Sequence, residues 1–258
     1  MAYELVLAHG IIAIIIGFVP AIVFTIWRFG FKRNLWYSWL LGGLFWSLAL
    51  IIRAIPFMIL MSIFGATRYT IYIITLLSGI FETVFRTLLF LLFTKFTADT
   101  KEKVIMAGLG WGTFEAIFGH TIPVLIFILF SRDSKLMLQL DGVEYIILLG
   151  GYNHLLNEIF HLMMMIMIFY GIKYKLKDID VSEPICENFY SKDPRPAWIW
   201  IIIVAILQFT YGFLFIIFII FLGLYMAYIL ITVFIGILVS YILKRIKFYP
   251  LFPVKPED

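Results

Sequence analysis

Residues 197–243 read AWIWIIIVAILQFTYGFLFIIFIIFLGLYMAYILITVFIGILVSYIL, an apolar run of 47 residues without a charged side chain. One helical crossing of a lipid bilayer takes about 20 apolar residues, so this run is too long for a single crossing. It is long enough for two, and Gly223 is where we expect the break. The run therefore predicts two membrane-spanning helices joined by a very short turn.

The rest of the chain has the same apolar character. Of its 258 residues, 63% are hydrophobic and only 14% are charged. A soluble domain leaves a polar surface that this composition cannot supply. We therefore predict an all-α, polytopic protein that forms one helical membrane domain over residues 1–258. It is expected in the cell membrane as a multi-pass protein, with the lipid bilayer around it.

Apolar stretches of similar length recur along the chain and predict about seven helices. We expect them at about 5–27, 37–63, 69–96, 103–131, 143–172, 197–220 and 223–243. The segment 173–196 is charged and contains proline, which is typical of a loop. The single cysteine, Cys186, excludes an internal disulfide framework.

Lysine and arginine are distributed unevenly between the two ends of these helices. Fifteen follow the first, third, fifth and seventh helices, whereas only Arg68, Arg132 and Lys135 lie at the opposite ends. Basic residues accumulate in cytoplasmic loops, so we expect the N-terminus outside and the C-terminus in the cytoplasm. The net charge of +4 is modest, and the basic residues follow the topology of the helices instead of forming a patch for nucleic acid. We therefore expect no nucleic-acid partner.

Three neighbouring helices carry ionisable residues near their centres. Glu82 and Arg86 lie in SGIFETVFRTLL and share a helical face, because they are four residues apart. Glu115 lies in GLGWGTFEAIFGH, and residues 151–163 read GYNHLLNEIFHLM, with two asparagines, two histidines and a glutamate. A charge at mid-bilayer costs about 3 kcal/mol. We therefore expect these residues to face a common polar pocket, and the glycines beside Glu115 to let the helices approach closely.

Three segments of the chain resemble one family of membrane proteases. The segments are GIFETVFR, GLGWGTFEAI and GGYNHLLNEIFH, which lie within residues 75–170. At these motifs the sequence resembles the YhfC-type intramembrane peptidases of the CAAX-protease and bacteriocin-processing superfamily. The resemblance implies a helical membrane fold and glutamate-dependent hydrolysis of a peptide bond inside the membrane.

Each motif is matched at definite positions. The first places arginine four residues after a glutamate that follows phenylalanine, as Glu82 and Arg86 do. The second reads Gly-x-Gly-x-Gly-x-x-Glu-Ala-Ile and is met by Gly108, Gly110, Gly112, Glu115, Ala116 and Ile117. The third is a Gly-Gly start with a polar residue deep in the following helix, met by Gly150, Gly151 and His161.

The chain also departs from the family pattern. Thr83 stands where a second acid is usual, and Trp111 stands where the second motif has histidine. Asn153 and His154 stand where the third motif has Glu-Arg. The motifs are therefore degenerate, so either the site has been rearranged or the activity has been lost.

If the site is intact, the resemblance implies that it activates a water molecule, which attacks a peptide bond within the membrane. Glu82 would be the general base, beside its ion-pair partner Arg86. His161 or His154 would hold the water or stabilise the oxyanion, and Glu115 would orient that histidine or share the proton. The substrate would be a membrane-embedded or membrane-anchored peptide that enters sideways between helices.

A second hypothesis is a non-catalytic one. A family fold with degenerate motifs is what we expect of an accessory subunit that serves as a scaffold in a larger membrane complex. In that case the partners are other subunits of the complex rather than a peptide substrate.

A third hypothesis is a metal or haem site, although the sequence specifies no cofactor. A metal could be held by His154, Glu158 and His161, because Glu-x-x-His is half of the pattern in helical di-iron sites. A haem could be held between His120 and His154 as axial ligands. A transport function is a further alternative, but only the expected polar pocket supports it. The sequence shows no internal repeat or pair of broken helices, which are typical of transporters.

Overall fold

The structure is a computed structural model that describes residues 2–131, 143–172 and 197–246. The loop predicted at 173–196 lies outside the described residues, as do Arg132, Lys135 and Cys186.

The described residues are almost entirely helical. They form α1 (Ala2–Phe29), α2 (Arg33–Phe64), α3 (Arg68–Leu92), α4 (Thr94–Thr97), α5 (Lys101–Ala116), a π turn (Ile117–Thr121), α6 (Ile122–Ser131), α7 (Val143–Ile172), α8 (Ala197–Leu222) and α9 (Leu224–Ile246). The helices α5 and α6 continue one another through the π turn.

Seven helical segments are long and apolar enough to cross a membrane, as predicted. They are Glu4–Phe29, Arg33–Phe64, Tyr69–Leu92, Lys101–Phe130, Glu144–Ile172, Trp198–Leu222 and Leu224–Lys244. The last two meet at Gly223, whose positive φ of 81° lets the chain reverse between α8 and α9. The side of the membrane on which each terminus lies stays a prediction from the basic residues.

The helix α7 forms the centre of the bundle. Of its most apolar stretch, 89% of the residues are buried, against 6% for the corresponding stretch of α2. It packs against α1, α5, α8 and α9, while α5 lies between α7 and α2, and α3 packs on α2 and α8. This order places the middle of α7 opposite the ionisable residues of α3 and α5.

Glycines allow α5 to lie very close to both of its neighbours. On one side, Gly110 faces the backbone of Trp39 in α2. On the other side, a Cβ added to Gly112 would lie 2.8 Å from Cα of Glu158 in α7. A larger residue at either position would push α5 away from that neighbour. Gly112 therefore determines how closely the polar groups of α5 and α7 approach.

Candidate functional site

The Glu82 carboxylate accepts hydrogen bonds from four side chains. Its Oε1 accepts from Nη1 of Arg53 at 2.6 Å and from Oγ of Ser78 at 2.8 Å. Its Oε2 accepts from Nη2 of Arg86 at 2.9 Å and from Nε2 of Gln208 at 3.1 Å. Two guanidinium groups and two neutral donors therefore satisfy this buried carboxylate from α2, α3 and α8.

Arg86 is fully buried, and its guanidinium contacts other side chains through both Nη atoms, while Nε has no hydrogen-bond partner among the described residues. Besides Glu82, its guanidinium donates to Oε1 of Gln208 at 3.2 Å and to Nδ1 of His161. Its Cζ lies 4.5 Å from the centre of the Trp111 ring, a cation–π arrangement. Trp111 therefore covers the buried cation.

The contact with Arg86 determines which nitrogen of His161 carries the proton. An arginine guanidinium has donors only, so Nδ1 of His161 must be the acceptor. The neutral ring then carries its hydrogen on Nε2, which lies against Oε2 of Glu115. His161 therefore links the Glu82–Arg86 pair of α3 to the Glu115 carboxylate of α5.

The Glu115 carboxylate accepts fewer hydrogen bonds than that of Glu82, and its side chain is more exposed. Its Oε1 accepts from Nδ2 of Asn157 at 3.0 Å, and Oδ1 of Asn157 in turn accepts from the hydroxyl of Tyr211. The side chain of Glu115 is 19% exposed, against 5% for Glu82. Glu115 therefore accepts from fewer donors than Glu82 does, and its Oε2 is buried against the His161 ring.

His120 and His154 form a separate pair near the π turn. Their rings stack with centroids 5.0 Å apart and planes inclined by 27°. A Cβ on Gly150 would lie 3.0 Å from the His120 ring, and one on Gly119 would lie 3.4 Å from the His154 ring. A bis-histidine haem needs two ring nitrogens that approach the iron from opposite sides, so stacked rings leave no room for one between them.

The residues expected to hold a metal are not brought together. His161 contacts Glu115, His154 stacks on His120, and Glu158 lines a cavity that faces α1 and α5. Seven residues of helix correspond to about 10 Å along its axis, so His154 and His161 reach different neighbours although they share a face.

Among the described residues, the group that offers close metal-ligand atoms is Glu82, Glu115 and His161, all within 4.8 Å of one another. The guanidinium of Arg86 already contacts both Glu82 and His161. It supplies the positive charge that a metal ion would bring, and it uses the Nδ1 lone pair of His161.

The structure thus gathers four of the five expected catalytic residues: Glu82, Arg86, Glu115 and His161. The fifth, His154, lies outside this hydrogen-bonded cluster, in the pair with His120. Asn157 belongs to the polar stretch that was expected to face the cluster, whereas sequence reasoning did not assign Arg53, Ser78, Trp111, Gln208 and Tyr211 to it. Arg53 and Gln208 carried a usable signal, because each is a strongly polar residue in an apolar span.

A groove of about 460 Å³ runs between α2 and α3 on the outside of the bundle. Its walls are largely apolar, with Leu50 and Phe57 among the lining residues. Arg53 and Ser78 also line it, and both bind Glu82. The groove therefore reaches the hydrogen-bonded cluster from the side of the bundle.

Comparison with protein-family models, curated proteins and solved structures finds no match to the chain. The resemblance to the YhfC-type peptidases therefore rests on the quoted motifs alone.

Proposed function

We propose that the chain is a multi-pass cell-membrane peptidase, in which Glu115 is the general base that activates water. The proposal rests on one observation: Glu82, Arg86, His161 and Glu115 form a continuous chain of contacts across three apolar helices. Ionisable groups inside a membrane protein usually mark a functional pathway or site. The quoted motifs support the choice of peptide hydrolysis.

The assignment of the base follows from the hydrogen bonds. A general base needs a free lone pair within reach of the water whose proton it takes. Glu82 uses its lone pairs on four donors, whereas Glu115 contacts only Asn157 and His161 among the described residues, which leaves lone pairs that no donor uses. In this proposal Glu82 and Arg86 are positioning residues that hold His161.

The reaction proceeds in two proton transfers. Glu115 takes a proton from water as the water oxygen attacks the peptide carbonyl carbon. The amide of Asn157 has a second N–H besides the one that it donates to Glu115, and this N–H is the donor for the oxyanion. The C–N bond then breaks, and the proton passes from Glu115 to the leaving nitrogen.

The proposed substrate is an apolar membrane-embedded peptide that enters through the groove between α2 and α3. The groove has apolar walls where lipid would surround the protein, and its polar residues, Arg53 and Ser78, lead toward the cluster. Such a route keeps the peptide within the membrane until its backbone reaches polar groups.

Glu115→Gln tests the proposal. The variant keeps the shape of the side chain but cannot take a proton, so peptide cleavage should fall at least 100-fold. The measurement is the set of new peptide N-termini in membranes of cells that express either form, identified by mass spectrometry. Glu102→Gln, in the first turn of α5 and away from the cluster, is the matched control and should retain the wild-type cleavage pattern.

A second function has one observation in its favour. The hydrogen bonds of Glu82 join α2 and α3 through ion pairs and α8 through the amide of Gln208, which is what an accessory subunit needs to hold its shape. An unchanged set of N-termini in the Glu115→Gln membranes, together with a stoichiometric partner after mild-detergent purification, would reject the peptidase and support this function.

A further inference from the structure

Glu158 is a buried carboxyl group that the proposed mechanism does not use. The residue lies in the middle of α7 and is 3% exposed. Within the described part of the chain, no group donates a hydrogen bond to its Oε1 and no cation pairs with it. A buried polar group without a hydrogen-bond partner destabilises the fold, so a partner from outside the chain would stabilise it.

The carboxyl group borders a cavity of about 230 Å³ between α1, α5 and α7. The other residues that line this cavity are all apolar and include Pro20, Ala21, Phe24, Leu109, Leu155 and Leu162. The volume suits an alkyl chain or a small ring, and is below that of most sites for drug-sized ligands. The occupant is therefore a small apolar body with a polar end.

Glu158 is the one polar residue among the described residues that line this cavity, and none of the others carries a positive charge. A partner that satisfies the carboxyl group must bring a hydrogen-bond donor, and a positive charge would complement the carboxylate.

We propose that this cavity binds a lipid-soluble primary amine, with Glu158 as its counter-ion. The uncharged amine enters from the membrane with its alkyl chain against Phe24 and Leu162. Its nitrogen takes the proton of the Glu158 carboxyl group, and the resulting ammonium pairs with the carboxylate. This site is independent of peptide hydrolysis, so it stands or falls separately from the proposed peptidase.

Dicyclohexylcarbodiimide is the probe that tests the proposal on the full-length protein in lipid nanodiscs. The reagent adds to a carboxylic acid in apolar surroundings, and the adduct rearranges to a stable acylurea without a leaving group. We expect modification of Glu158, located by mass spectrometry of peptides. Dodecylamine should protect Glu158 at concentrations at least tenfold lower than dodecanol, which has the same chain but no amine.

Two variants separate occupancy of the cavity from general effects of the amine. Ala21→Leu fills the cavity and retains the carboxyl group, so the amine concentration that gives half protection should rise at least tenfold. Ala54→Leu adds the same volume to the groove between α2 and α3 and should leave protection unchanged. Equal protection by dodecanol, or an unmodified Glu158 in folded protein, would overturn the proposal.

Discussion

Glu82 and Glu115 belong to the same cluster but have different surroundings. Glu82 faces two guanidinium groups, while Glu115 faces an imidazole and an amide. The difference arises because Arg53 and Arg86 both lie on the α3 side of His161. Charge compensation thus distinguishes a carboxylate that joins helices through ion pairs from one that contacts no guanidinium among the described residues.

The ion pairs of Glu82 lead to a prediction about stability. Glu82→Gln leaves Arg53 and Arg86 without their shared carboxylate, so the free energy of unfolding should fall by about 3–5 kcal/mol. Replacement of the buried pair by apolar residues, in Glu82→Leu with Arg86→Met, should cost less than the single change. Thermal unfolding in detergent micelles measures both.

Glu115→Gln is the comparison for this prediction, because it removes a carboxylate that no guanidinium pairs with directly. Its loss of stability should be smaller than that of Glu82→Gln. A Glu82→Gln protein as stable as wild type would contradict the assignment of Glu82 to helix packing.

At the scale of helices, the contact between α5 and α7 depends on Gly112. A Cβ there would meet Cα of Glu158 at 2.8 Å and its Cγ at 3.0 Å, and backbone atoms cannot move aside cheaply. Gly112→Ala should therefore lower stability and displace α7 from the cluster. Thermal unfolding and the yield of folded protein measure the effect.

Gly236 in α9 is the matched control for Gly112. A Cβ added there has no atom within 4 Å among the described residues. Alanine is favoured over glycine in a helix by up to about 1 kcal/mol, so Gly236→Ala should be neutral or stabilising. Equal losses in the two variants would mean that helix propensity, rather than the close approach, determines the result.

The helices could be predicted from the sequence more completely than their irregularities. Length and hydropathy are local properties, and they indicated the seven long helices and the turn at Gly223. The π turn at Ile117–Thr121 has no such signal, since its residues suit an ordinary helix equally well. It turns His120 toward His154, a contact that helical periodicity alone does not give.

The candidate site was predictable to the extent that polar residues in apolar helices had to meet. Glu82, Arg86, Glu115 and His161 do meet, because α3 and α5 both pack on α7. Glu158 shares a helical face with His161 but faces α1 and α5 instead. Periodicity gives the direction of a side chain around its own helix, whereas its partners depend on which helix packs there.

At the scale of the whole molecule, the distribution of basic residues predicts the orientation in the membrane. Cys186 is the only cysteine and lies in the segment that we expect on the cytoplasmic side. A membrane-impermeant maleimide should therefore label Cys186 in inverted membrane vesicles but not in intact cells. The measurement is labelling of the purified chain after each treatment.

The opposite side supplies the control for orientation. Ala66 lies between α2 and α3, so Ala66→Cys in a Cys186→Ser background should be labelled in intact cells. Labelling of Cys186 from outside the cell would reverse the predicted orientation and leave the fold unaffected.

The central position of α7 also has a consequence for the synthesis of the protein. Gln208 and Tyr211, which bind Arg86 and Asn157, belong to α8, which the ribosome makes after α7. The newly inserted α7 thus meets lipid tails on one flank until α8 and α9 arrive to cover it. A nascent chain that stops after α7 leaves Asn157 without the hydroxyl of Tyr211 and Arg86 without the amide of Gln208, so we expect such a fragment to be less stable than the complete chain.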